Sequence, residues 1–299
     1  MSFRFHDGDR VCFIGDSITA ANEHVARIAA HYHEKYPTED IRFYNNGVSG
    51  CTLTGLLQYF EDDVAPRRPT HAVVMLAVND SGPWLLDMPR GAERFAALKE
   101  RYDTYCRNLE TMYQKLTAIG AQVILCTPVP YAEYEPNEGG VARGCYAMVA
   151  AYAAYVRDFS RAKNCPLCEI HDYIAEEMQK QVFFGPDRTH PNAAGQYHMA
   201  KRFLEFQGET IAPFAPIPAE MDEWRENTRA LRSVYEGEWN VLQNYGLSTA
   251  EKMAFMQAYL DEKKYEQTHA PASFERWVNG YLKNKPKVEE LMDITESIW

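Results

Sequence analysis

The sequence predicts a three-layer α/β fold in which helices cover both faces of a five-stranded parallel sheet. Three observations carry this expectation. Apolar runs of strand length recur five times within residues 8–206, separated by segments of helical spacing; strands joined by helices of that length imply right-handed crossovers. The first and third runs are continuously apolar rather than alternating, as in Val11, Cys12, Phe13 and Ile14, which suits strands buried on both faces. The first four runs also stop at turns holding Gly, Asn, Asp or Pro.

Taken in order, the first strand covers Val11–Ile14 and runs into Gly15-Asp16-Ser17. Asn22–Tyr36 places Val25, Ile28, Ala29 and Tyr32 on one face of a helix. Ile41–Asn45 reads as the second strand, leading into Asn46-Gly47-Val48-Ser49-Gly50, and Leu53–Phe60 as a short helix. Ala72–Val78 reads as a buried third strand ending at Asn79-Asp80-Ser81-Gly82. A long helix is expected from about Phe95 to Ile119, where Gly120 breaks it, and Gln122–Cys126 is the fourth strand, stopped by Pro128 and Pro130. A loop with Pro136, Gly139 and Gly140 leads to a helix over Cys145–Lys163, then to a fifth strand over Leu167–Ile170. Ala193–Phe206 closes the unit as a helix.

The organisation is therefore an α/β domain over residues 1–210, a connector over 211–220 holding three prolines, and a helical extension over 221–299. In the extension Leu231, Tyr235, Trp239 and Leu242 recur every three to four residues, and Trp224 stands seven residues, about two helical turns, before Leu231. Ser248 with Glu251 suits a capping box, and Phe274, Trp277, Val278 and Tyr281 mark a further helix. Such aromatic stripes need covering, by the helices packing on each other, by docking on the first domain, which is the expected covering, or by a second copy in a homodimer.

Composition bounds the partners. With 299 residues, 46% hydrophobic and 24% charged, the chain can bury a sizeable core, and its net charge of -11 argues against nucleic acid or an anionic membrane as partner. Met1–Asp7 carries no apolar h-region, and no run reaches the about 18 apolar residues of a membrane span, so a soluble, cytoplasmic protein is expected. Seven cysteines, an odd number with Cys12 and Cys126 inside strands, suit reduced buried thiols. Cys165 and Cys168 form a C-x-x-C that could be a redox pair or half a zinc site, but no second ligand pair stands at matching spacing and ordinary burial explains them as well.

Four strand ends hold candidate chemistry. Ser17 follows the first strand, where open α/β sheets bind ligands, although a lone Ser there reads equally as a helix cap. Gly50 belongs to a turn that can point backbone N–H groups outward, or that is simply a tight turn. Asn79 ends the third strand with an amide able to donate to a developing oxyanion, while Asn-Asp is also common turn chemistry. Asp187 stands three residues before His190, close enough to fix the imidazole tautomer that accepts a proton from Ser17. Together the four supply a nucleophile, a base, its orienting carboxylate and oxyanion donors.

At this point Gly15-Asp16-Ser17, the Gly50 turn, Asn79-Asp80 and Asp187-x-x-His190-Pro191 resemble the four successive motif blocks of the SGNH, or GDSL-type, hydrolase superfamily, over roughly residues 8–206. The resemblance implies a flavodoxin-like α/β/α sandwich and hydrolysis of esters, often acetyl groups on carbohydrates. It implies Ser17 as nucleophile, His190 as general base and Asp187 as its partner, with the Ser17 N–H, the Gly50 N–H and the Asn79 amide as oxyanion hole. Two departures stand out: Ile18-Thr19 replaces the motif's leucine, and Ala77 stands where a glycine often precedes x-Asn-Asp. The expected activity is hydrolysis of a small soluble ester through an acyl-enzyme, with no metal or organic cofactor. A thioesterase or lysophospholipase-type acylhydrolase, and a non-catalytic ligand-binding protein on the same fold, are the alternatives. A nucleotide-binding oxidoreductase is disfavoured because no G-x-G-x-x-G follows the first strand.

Overall fold

The structure, a computed structural model, describes residues 4–136, 140–211 and 213. The sheet has five parallel strands, β1 (Arg10–Gly15), β2 (Arg42–Gly47), β3 (His71–Met75), β4 (Gln122–Cys126) and β5 (Leu167–Cys168), in the order β2-β1-β3-β4-β5. Pairing is in simple register, with Val11 beside Phe43 on one side and His71 on the other. This is the flavodoxin-like order, in which the chain reverses its direction of growth between β1 and β3 and leaves a crevice at their carboxyl ends.

Period-two alternation within continuously apolar strands divides the core in two. Val11, Phe13, Phe43, Val73, Met75, Ile124 and Cys126 face one layer, and Cys12, Ile14, Ala72, Val74, Val123 and Leu125 face the other. The first layer is covered by α2 (Glu23–Lys35), α7 (His171–Glu177) and α8 (Ala193–Phe206), through Val25, Ile28, Tyr32, Ile174, Met199 and Phe203. The second is covered by α3 (Leu53–Tyr59), α5 (Ala92–Ala118) and α6 (Cys145–Lys163), through Leu56, Leu109, Met112, Tyr152 and Val156. Each fully buried side chain of this size contributes roughly 1.5–3 kcal/mol, so both faces of the sheet are needed to hold it. Two further helical turns, α1 (Ser17–Ala20) and α4 (Val78–Ser81), begin just beyond β1 and β3.

Several sequence expectations need correction. The third strand stops at Met75, not Val78; Leu76 and Ala77 stay buried while the chain turns into α4, so Asn79 lies in a helical turn rather than at a strand end. A continuous apolar run cannot separate strand from buried turn. The fifth strand is only Leu167–Cys168, and α7, with one short apolar face, had no sequence counterpart. The helix from Leu53 continues as a π-helical turn over Phe60–Val64. The long helix begins at Ala92, ahead of Phe95, whereas the helices over Cys145–Lys163 and Ala193–Phe206 keep the expected bounds. Ala77 has φ 175°, outside the left-handed region that calls for glycine, and it is fully buried. All seven cysteines are thiols rather than disulfides: Cys165 Sγ donates to Val123 O at 3.0 Å, and Cys168 is fully buried in β5. The connector from 214 onward and the helical extension 221–299 lie outside the described residues.

Candidate active site

The turns that follow the three adjacent strands β2, β1 and β3 carry Gly50, Ser17 and Asn79 respectively, with Ser17 after the middle strand. β1 ends at Gly15 because a Cβ there would sit 2.1 Å from Thr19 Oγ1 and 2.7 Å from Met75 O, so only glycine lets the chain fold back this tightly. Asp16 then caps α1, its Oδ1 accepting from Ile18 N–H at 3.0 Å, and Ser17 becomes the first helical residue, half-buried and outward-facing. As a first-turn residue its N–H has no intrahelical acceptor.

His190 reaches Ser17 from the loop before α8. Ser17 Oγ and His190 Nε2 are 2.7 Å apart, and His190 Nδ1 is 2.6 Å from Asp187 Oδ2. The other oxygen of the same carboxylate, Oδ1, accepts the backbone N–H groups of Thr189 at 2.9 Å and His190 at 3.0 Å. Asp187 therefore folds its own loop and aligns the ring. Burial acts to raise its pKa, but donors from His190 backbone and ring and from Thr189 outweigh it and hold the carboxyl below its usual value. With the carboxylate ionised, Nδ1 carries the proton and Nε2 is left to accept from Ser17.

Arg188, between these two, is a functional neighbour that the sequence reading passed over. It adopts φ 61° and is buried, and its Nη1 donates to Ala132 O at 3.0 Å and Glu135 O at 2.7 Å. Glu135 in turn accepts from Phe183 N–H and Phe184 N–H, so the loop bearing Asp187 and His190 is tied to the chain leaving β4. The available signal was an arginine enclosed between two polar site residues, but its partners are about fifty residues away in sequence.

On the other flank, Gly50 has φ 70° and is exposed, and Asn79 Nδ2 donates to Cys51 O at 3.0 Å. Asn79 keeps a second amide hydrogen for another acceptor. Asp80 accepts Leu53 N–H at 3.0 and 3.2 Å with its two oxygens. Asn79 and Asp80 thus staple the turn after β3 to the loop after β2. Two buried carboxyls flank the site: burial pushes Asp80 up to about 7, opposed by Leu53 N–H and reinforced by Asp16, and burial pushes Asp16 up to about 6, opposed by Ile18 N–H and His190. The structure brings all five expected site residues to one edge of the sheet and joins Ser17, His190 and Asp187 by direct hydrogen bonds. No group of three or more metal-ligating side chains, and no helix long and apolar enough to cross a membrane, occurs among the described residues.

Comparison with known proteins gives the family of the chain. An acetylxylan esterase of Geobacillus stearothermophilus is 26% identical over 215 residues, covering 66% of this chain and 93% of that protein. Among solved structures, BT4096, a gut microbial diltiazem-metabolizing enzyme, superposes with a TM-score of 0.62 at 24% identity over 69% of this chain, the match spanning 48% of BT4096. LAE5, an alpha/beta hydrolase enzyme from the metagenome of Lake Arreo, Spain, gives a TM-score of 0.58 at 23% identity, covering 70% of this chain and 98% of LAE5. The class is that of the carboxylic ester hydrolases. Residues 13–197 match the model of the GDSL-like Lipase/Acylhydrolase family, and the chain belongs to that family.

Proposed function

We propose that the protein is a serine esterase that removes O-acetyl groups from a carbohydrate or a related small soluble molecule. The observation that carries the reading is the unbroken path Ser17 Oγ to His190 Nε2 at 2.7 Å and His190 Nδ1 to Asp187 Oδ2 at 2.6 Å. In the proposed mechanism His190 takes the Ser17 proton as Oγ attacks the acetyl carbonyl, and Asp187 stabilises the imidazolium that forms. The negative charge on the carbonyl oxygen is met by the Ser17 N–H, the Gly50 N–H and the free amide hydrogen of Asn79, each worth about 2.7–4 kcal/mol in the transition state. His190 then protonates the leaving sugar hydroxyl, and water, activated by the same ring, releases acetate from Ser17.

The acetyl preference draws on the likeness to the acetylxylan esterase, and the half-exposed triad suits a soluble substrate: side-chain exposure is 49% for His190 and 53% for Asp187. The test pairs a fluorophosphonate label with a panel of esters. Stoichiometric labelling at Ser17, lost in Ser17→Ala, with activity highest on acetylated xylo-oligosaccharides and falling with acyl length, is the expected result. Labelling at Ser17 with a preference for long acyl chains or for thioesters would keep the nucleophile and replace the substrate. Absence of labelling and turnover in the folded protein would favour a binding protein.

A further inference from the structure

Arg101 projects from the middle of α5 onto the turn that carries Asn79. Its Nη2 donates to Asn79 O at 2.6 Å and its Nε to Asp80 O at 2.8 Å, so one guanidinium spans two consecutive carbonyls. These carbonyls belong to α4, a helix of only four residues whose C-terminal acceptors need partners outside the helix. Gly82 ends that turn with φ 67°, and a Cβ at this position would lie 2.5 Å from Arg101 Nε. The turn is shaped around the guanidinium. The Trp84 ring, 4.8 Å from the guanidinium carbon, packs beside it and limits its motion.

The opposite side of the same turn faces the site. There Asn79 Nδ2 holds Cys51 O and the Asp80 carboxylate holds Leu53 N–H. The turn is thus gripped from two sides, by side-chain contacts to the loop bearing Gly50 and, on its backbone, by the two short bonds of Arg101 with a longer one from Tyr152 Oη to Asp80 O at 3.3 Å. We infer that Arg101 is a positioning residue for ester hydrolysis: by fixing the Asn79 and Asp80 carbonyls it aims the Asn79 amide at the oxyanion. This rests on the reading of Asn79 as an oxyanion donor. An oxyanion donor contributes only when it meets the tetrahedral oxygen at hydrogen-bond distance, so a small rotation of the turn costs turnover and leaves ground-state binding in place. Lysine is a poor replacement, because a single ammonium cannot present two donors in the fixed fork that spans both carbonyls.

The experiment is a double-mutant cycle in the full chain, with kcat and KM measured on 4-nitrophenyl acetate for wild type, Arg101→Met, Asn79→Ala and the double variant. Arg101→Met is expected to lower kcat about 10- to 100-fold with KM changed less than about two-fold, and Asn79→Ala to lower kcat about 100-fold or more. Adding Arg101→Met to Asn79→Ala should then cost less than about two-fold, because the group being aimed is gone. Arg101→Lys, measured in the same cycle, should recover part of kcat, and it carries the test if the methionine variant does not fold. A loss from Arg101 of the same size with and without Asn79, or a loss confined to KM, overturns the inference while leaving the oxyanion reading intact. An Asn79→Ala enzyme with undiminished kcat overturns the oxyanion reading itself.

Discussion

Asp187→Asn separates the electrostatic and orienting roles of the carboxylate because the two oxygens have different partners. Oδ1 accepts two backbone N–H groups, and Oδ2 accepts only the imidazole Nδ1–H. An asparagine will place its single oxygen on the backbone pair and its NH₂ against the ring. Nδ1 must then accept, the ring proton moves to Nε2, and the nitrogen facing Ser17 can no longer take a proton. Losing the negative charge alone costs about 3 kcal/mol for charges about 5 Å apart at an effective dielectric of about 20. Half-exposure of the pair reduces that figure. The wrong tautomer adds the rest, and the total should reach about 10³- to 10⁴-fold in kcat. Because both backbone bonds survive, the melting temperature should move by less than about 3 °C. The assay is steady-state hydrolysis of 4-nitrophenyl acetate beside a thermal melt. A variant that keeps more than about a tenth of wild-type kcat would refute the tautomer argument, and one that loses activity together with several degrees of stability would place Asp187 in loop folding instead.

Three further outcomes follow from the geometry. Ser17→Ala and His190→Ala should each remove most turnover, about 10³-fold or more, and the double variant should be scarcely worse than either, as for groups acting as a unit; multiplicative losses would break the assignment. Asp80, raised to about 7 by burial, binds more protons folded than unfolded, so its contribution is full below about pH 4 and is lost as pH rises through about 7. Asp80→Asn should therefore melt higher than wild type at pH 8, with the advantage gone near pH 4, and an equal shift at both pH values would contradict a charge effect. Glu209 is the opposite case: burial works against its charge, but Lys35, Tyr36 and His31 outweigh burial and hold it down to about 2, with Tyr36 Oη donating at 2.7 Å and His31 Nε2 at 3.0 Å. Glu209→Gln should lower the melting temperature by a few degrees at pH 7 with kcat unchanged, the difference fading as pH falls from about 4.5 toward 2; a pH-independent difference would point to packing.

The chain's order of strands and helices was legible because buried parallel strands are short, continuous and apolar, and because helices such as Cys145–Lys163 carry sustained 3.6-residue periodicity. Ser17, Asp187 and His190 were legible because each stands beside a turn signal, and the Asp187–His190 contact is local. What escaped was long-range and polar. Nothing in the neighbourhood of Arg101 announces that its donors meet carbonyls more than twenty residues earlier, and the grip of Arg188 on Ala132 and Glu135 depends on how two loops stack. Asp16 and Asp80 stood inside the motifs as letters; their burial, and hence their raised pKa values, comes from the helices packed around the crevice.

The pairing of α2 with α8 has a kinetic consequence. Ser17 and His190 are separated by 173 positions, and the helices that follow them in the chain, α2 and α8, lie side by side, joined by His24 Nδ1 and Gln196 Oε1 at 2.6 Å. Closing so long a loop costs more chain entropy than any local contact, whereas the Asp187–His190 turn can form as soon as its own few residues are in place. Recovered activity during refolding is therefore a clock for the last docking event. It should lag the return of helical circular dichroism, and substitutions that loosen the seat of α8 on α2 should lengthen the lag without changing the turnover of molecules that have completed it.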